Sequence, residues 1–195
     1  MIHSRITIGA LGVLALAFGG GPAGARVTPG TWDVEVLAGA YSSGIDVLDE
    51  EMLFGLRLGH SVDKVFGIQT ELCFTGARSS LPEADGTLDW TAVLVDVSCV
   101  GHLKSDGRLV PTLYAGLGWA DVSGDATVEL RGGATLLVTG LYESTFTLHG
   151  GIGSKLFVKE DFYLRLTGRA RWYEARNGDD VDWESTLGIG YTFGG

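Results

Sequence analysis

The sequence predicts an all-β fold, an eight-stranded antiparallel up-and-down transmembrane β-barrel. Three observations carry that prediction. Eight stretches alternate apolar and polar residues with period two, the connections between them alternate between short and long, and one parity of each stretch collects glycine and charge. A content of 45% hydrophobic and 19% charged residues suffices for an ordered domain. The formal net charge of −10 disfavours nucleic acid as a partner.

The N-terminal 25 residues read as a secretory leader rather than as part of the fold. MIHSR is positively charged, ITIGALGVLALAF is apolar, and Ala23-Gly24-Ala25 offers a small-residue cleavage site, so residues 26–195 are expected to form the exported barrel domain. The apolar run falls short of the roughly 20 residues that a spanning helix needs.

The first strand is expected at 31–41, with Trp32, Val34, Val36, Ala38 and Ala40 on one face and Asp33, Glu35, Leu37 and Gly39 on the other. At 51–60, Met52, Phe54, Leu56 and Leu58 oppose Leu53, Gly55, Arg57 and Gly59. At 65–76, Phe66, Ile68, Leu72 and Phe74 oppose Gly67, Gln69, Glu71 and Cys73. The run 90–101 alternates less cleanly, with Val93, Val95 and Val97 opposite Leu94, Asp96 and Ser98. In 109–119, Leu113, Leu117 and Trp119 oppose Thr112, Tyr114, Gly116 and Gly118, and Pro111, which lacks a ladder donor, belongs near the strand start. In 144–157, Phe146, Leu148 and Ile152 oppose Thr147, His149, Gly151 and Lys155. The stretch 162–172 sets Phe162, Leu164, Leu166 and Trp172 against Arg165, Arg169 and Arg171, and 182–193 sets Trp183, Leu187, Ile189, Tyr191 and Phe193 against Glu184, Thr186, Gly188 and Gly190.

The connections SVDK, KSDG and VKED are short and rich in turn formers, whereas 42–50, 79–89, 121–143 and 174–180 are longer. Within the longest, ATVEL and ATLLV extend the hairpin beyond the membrane. Short turns at one end and long loops at the other match outer-membrane barrels, with the short turns periplasmic.

Alternation alone also fits a soluble sandwich or lipocalin, so the wet face has to be argued. Glycine concentrates on the polar parity, as the crowded interior of a small barrel requires, because large and small side chains must interleave there. The alternating runs exceed the roughly 5 or 6 residues usual in globular sheets and suit the roughly 9 to 11 tilted residues that cross a bilayer. Aromatic residues crowd the strand ends on the apolar face, where headgroup girdles belong. An arginine facing lipid near the midplane costs about 2 to 4 kcal/mol. Arg165, Arg169 and Arg171 must therefore point inward. There, with Arg57 and Lys155, they are expected to meet Glu35, Glu71, Asp96 and Glu184 in a salt-bridged plug, with Asp33 nearer the rim and Gln69, His149 and Tyr114 filling hydrogen-bond gaps.

Other chemistry finds less support. Cys73 and Cys99 lie on faces of opposite parity, beyond disulfide reach, and are expected to be free thiols. His60, His102 and His149 assemble no nucleophile and base from sequence position. The acids Asp46, Asp49, Glu50, Glu51, Glu83, Asp85, Asp89, Asp179, Asp180 and Asp182 read as solvated loop charge, with weak Ca²⁺ or Mg²⁺ binding near lipopolysaccharide as the sharper alternative.

The leader, the eight alternating strands, PTLYAGLGWA in mid-chain and the closing GIGYTF together resemble the OmpA-type family of small outer-membrane β-barrels over about residues 26–193. The resemblance implies an outer-membrane protein whose last strand, here through Tyr191 and Phe193, is read by the barrel-assembly machinery. Gly194 and Gly195 follow Phe193, where family members usually end on the aromatic residue itself. No peptidoglycan-binding domain is expected after this strand. The expected function is an integral barrel without catalysis or cofactor that stabilises the envelope or makes surface contacts. It would be monomeric and in contact with outer-membrane lipid and lipopolysaccharide. A narrow channel or transporter is the alternative, and a lipid-modifying enzyme the third reading.

Overall fold

The computed structural model describes residues 27–43, 51–81, 86–130, 134–174 and 181–194. The leader expected at 1–25, and the loop acids Asp46, Asp49, Glu50, Glu83, Asp85, Asp179 and Asp180, lie outside the described residues.

Eight strands follow one another: β1 Trp32–Ser42, β2 Glu51–Ser61, β3 Phe66–Leu81, β4 Gly86–His102, β5 Leu109–Leu130, β6 Ala134–Phe157, β7 Phe162–Tyr173 and β8 Val181–Phe193. Each pairs antiparallel with its sequence neighbour, and β1 pairs antiparallel with β8 from Trp32↔Phe193 to Ser42↔Trp183, which closes the barrel. Closure removes the sheet edges that would otherwise carry unpaired backbone groups.

The two parities separate as the pattern requires. Val34, Val36, Phe54, Leu56, Ile68, Val95, Val97, Leu117, Leu148, Leu187 and Ile189 are exposed on the outer wall, while Arg57, Arg165 and Arg171 are among the most fully buried side chains of the protein. Cys73 is buried and Cys99 exposed, and both are free. Glycine makes room inside: a Cβ at Gly188 would collide with Glu35, one at Gly190 with Tyr163, and one at Gly118 with Asp96.

The strands differ most at the long-hairpin end. β5 and β6 span 22 and 24 residues, so most of the expected 121–143 loop is paired strand. The register shifts between Gly124 and Ala126, and Asp125 at the bulge accepts a 2.9 Å hydrogen bond from the Gly140 amide. Gly140 has φ 75°, a left-handed conformation that a side chain would strain.

At the opposite end the chain before β1 crosses the mouth. The Val27 amide donates to the Ser105 carbonyl at 3.0 Å, in the turn between β4 and β5. The Val27 side chain packs with Val110, Phe157 and Tyr163 in a small apolar cluster. That contact joins the start of β1 to strands across the barrel and covers the lumen from below.

Candidate functional site: the charged lumen

Between the two ends the inward side chains form three storeys. The lowest holds Asp33, Lys155 and Tyr163. Lys155 Nζ lies 3.1 Å from Asp33 Oδ2, and the Tyr163 hydroxyl donates to Asp33 Oδ1 at 2.8 Å and to Glu35 Oε2 at 3.2 Å. Asp33 is thus a buried ion-pair partner at the lower end of the lumen.

The middle storey is ionic throughout. Arg57 bonds Glu35 through Nη1, and its Nε donates to Glu71 Oε2 at 2.6 Å. Arg169 reaches the same Glu71 oxygen at 2.9 Å, Asp96 Oδ2 at 2.6 Å and Glu184 Oε2 at 3.3 Å. Arg171 grips Asp96 with a two-pronged fork, Nη1 to Oδ1 at 2.8 Å and Nη2 to Oδ2 at 2.7 Å, and its Nε donates to Glu184 Oε1 at 2.7 Å. Arg165 stands lower, its Nη1 3.8 Å from Glu35 Oε2. Matched signs at these distances offset the desolvation that burial imposes on each charge.

The three neutral residues expected to fill gaps fare differently. The Tyr114 hydroxyl donates to the Gly168 carbonyl at 2.9 Å, and its ring faces Arg165 and Arg169 at 5.9 and 5.5 Å. His149 Nε2 lies 2.7 Å from Ser98 Oγ. Gln69 is buried on the expected face, and its Nε2 has no hydrogen-bond partner. Parity put it on the correct face, yet its amide stops short of an acceptor.

The upper storey was not anticipated. Leu37, Leu53, Cys73, Trp90, Ala92, Leu94 and Ala120 pack into an apolar layer with Tyr41 and Tyr173. Asp182, read from sequence as a solvated loop acid, is instead buried there, accepting a hydrogen bond from the Tyr41 hydroxyl, which in turn lies 2.7 Å from that of Tyr173. Its parity with Glu184 on β8 is the signal that could have found it.

The structure also assembles a set that sequence position did not suggest. Ser98, His149 and Asp96 stand in the order of a hydrolytic triad, with Ser98 Oγ 2.7 Å from His149 Nε2, but His149 Nδ1 lies 3.5 Å from Asp96 Oδ1 and makes no hydrogen bond. Ser98, His149 and Asp96 are only 1%, 3% and 1% exposed, and both Asp96 oxygens are already taken by arginines. A substrate has no approach to this serine. Elsewhere, the His60 ring packs at a tilt against Trp32, 4.4 Å between ring centres, and His102 is buried at the lower end of β4. Among the described residues no group of three or more His, Cys, Asp and Glu could hold a metal ion.

At the foot of the last strand, Tyr191 and Phe193 are exposed on the outer wall, with stacked rings 6.4 Å apart. The family model described as outer membrane protein beta-barrel domain matches residues 11–193. No curated protein matches the chain. Among solved structures, the N-terminal β-barrel domain of Pseudomonas aeruginosa OprF is similar at a TM-score of 0.56 and 14% identity, over 86% of this chain and 100% of that one. Ail, the attachment invasion locus protein of Yersinia pestis, aligns at 0.58 and 14%, over 85% and 100%. The outer membrane protein OprG of Pseudomonas aeruginosa aligns at 0.62 and 11%, over 88% and 99%. At such identities the likeness is one of fold.

Proposed function

Because the chain belongs to the outer membrane protein β-barrel domain family, and is therefore a protein of the bacterial outer membrane, we propose that it acts as a closed, non-catalytic barrel that stabilises the envelope or makes contacts at the surface. The observation that carries this reading is the filled lumen. Arg57, Arg165, Arg171, Glu35 and Asp96 are each 1% exposed or less, and apolar layers lie above and below them. A conducting pore would need these side chains in water.

The rest of the reading follows from the same premise. The leader at 1–25 is removed on export, Tyr191 and Phe193 serve as the assembly signal, and the mature barrel is a monomer in contact with lipid and lipopolysaccharide. Planar-bilayer recording tests the closed lumen. Silence is expected, and a steady conductance that disappears on Glu71→Gln would instead establish a channel.

The Ser98–His149–Asp96 arrangement is the one observation favouring an enzyme. A fluorophosphonate probe should leave Ser98 unlabelled in the folded protein. Labelling at Ser98 that His149→Ala abolishes would overturn the non-catalytic reading.

A further inference from the structure

At the foot of the lumen the cations outnumber their partners. Lys155 and Arg165 stand directly opposite each other on β6 and β7, both turned inward and both buried. Like charges in that position repel, and a dry interior screens them little. Asp33 answers Lys155 at 3.1 Å. Arg165 has no carboxylate within hydrogen-bond distance, since Glu35 Oε2 is 3.8 Å away and Glu35 already bonds Arg57. Higher up, Arg57, Arg169 and Arg171 share Glu35, Glu71, Asp96 and Glu184. The surplus of negative charge thus lies in the middle storey and the surplus of positive charge below it.

The same guanidinium is short of acceptors. Arg165 Nε and Nη2 have no hydrogen-bond partner, and neither have Gln69 Nε2 and His102 Nδ1. Arg165, Gln69 and His102 are 1%, 3% and 6% exposed, and together with Lys155 and Asp33 they line a cavity of about 10 Å³. Gly59 and Gly67 also line it and leave that part of its wall without side chains. Buried polar groups are paired as a rule, so several unpaired nitrogens around one cavity require a common acceptor.

A cavity of this size admits a single particle about as large as a water molecule. Water itself suits the lining poorly. The unpaired nitrogens of Arg165 and Gln69 offer more N–H groups than the two lone pairs of water can take, and the carboxylate in the lining, Asp33, already accepts from Lys155 and Tyr163. A bare anion accepts from every side and supplies the missing negative charge. Phosphate and sulfate exceed the space, whereas a halide is only slightly larger than water. We infer that the cavity binds one chloride-sized monovalent anion, held by Arg165, Gln69 and His102 beside the Lys155–Asp33 pair. The inference goes beyond the closed-barrel reading and holds whether or not the lumen conducts.

The test is urea unfolding of the full chain from lipid vesicles in sodium chloride, sodium bromide or sodium gluconate at one ionic strength. Gluconate is too large to enter the cavity. Chloride and bromide should each stabilise the barrel saturably. At a halide concentration about ten times the dissociation constant, the folded-to-unfolded ratio should stand about elevenfold above that in gluconate. Gln69→Glu places a tethered carboxylate where the ion sits and should abolish the halide dependence. If that variant fails to give the compact unheated band of a folded barrel on electrophoresis, Gln69→Leu removes a donor without adding charge and should weaken halide binding about tenfold. In crystals grown from sodium bromide, anomalous scattering should place one ion between the Arg165 guanidinium and the Gln69 amide. Equal stability in the three salts, a halide effect that the folded Gln69 variant retains in full, or a water in the cavity with no anomalous peak would each overturn the inference.

Discussion

Arg171 concentrates the energetics of the lumen in one residue. It is fully buried, bonds both oxygens of Asp96 and one of Glu184, and adds a 3.0 Å bond to Thr147 Oγ1. A guanidinium fork suits this geometry, and a lysine ammonium cannot reproduce it. Arg171→Met leaves Asp96 and Glu184 to share Arg169 alone, and should cost about 3–5 kcal/mol in urea unfolding from lipid vesicles followed by tryptophan fluorescence. Adding Asp96→Asn removes one of the stranded charges and should restore part of the loss, so the two effects should not sum. A loss below about 1 kcal/mol for Arg171→Met would show that water or rearrangement replaces the pairing. Parity was enough to turn Arg171, Asp96 and Glu184 inward. It could not pair Arg169 with Asp96, because that contact crosses the barrel between β7 and β4 and depends on tilt and register around the whole ring. The same limit hid the Ser98–His149 contact and the lack of a partner at Gln69 Nε2.

All eight strands could be read from their alternation, because lipid outside and a packed lumen inside demand opposite chemistry on successive residues. Their ends were harder to place. Beyond the bilayer both faces of β5 and β6 meet water, so alternation weakens while backbone pairing continues to Leu130 and Ala134. The apolar storey was obscured for a related reason: Leu37, Leu53 and Leu94 sit on the inward parity singly, each on a different strand, and become a layer only when the barrel closes. The short turns are local and therefore more legible. In the β2–β3 turn, Asp63 Oδ1 accepts the Val65 and Phe66 amides, both at 2.6 Å. These bonds hold its carboxyl below the ordinary value of 3.8. Since the folded value is the lower one, the stabilisation is complete above 3.8 and fades as pH falls through the folded value. Hydrogen-exchange protection of the Val65 and Phe66 amides, corrected for intrinsic rates, should hold steady from neutral pH down to the ordinary carboxylate value and decline below it. Asp63→Ala should lower that protection at every pH and flatten its dependence.

Across the whole molecule, the lumen is covered by barriers in series: the Val27 cluster below, the ionic storey between, and the apolar layer above. Cys73 reports on them separately. Its Sγ donates to Glu71 Oε1 at 3.3 Å from beneath, while its side chain belongs to the apolar layer. Cys99 faces the surrounding hydrocarbon, which a charged reagent does not enter. A charged, water-soluble thiol reagent should therefore label neither cysteine in the folded membrane-embedded protein, and both after unfolding. Trp90→Ala together with Leu53→Ala removes two members of the upper layer and should admit the reagent to Cys73 from the long-hairpin side alone. Val27→Asp disrupts only the lower cluster, so Cys73 should stay protected by the arginines and carboxylates still beneath it. Because barriers in series fail independently, neither variant alone should conduct ions. Labelling of Cys73 in the folded wild-type protein would mean that one of its two covers is open, and its exposure by Val27→Asp would mean that the charged storey is permeable and does not seal the lumen.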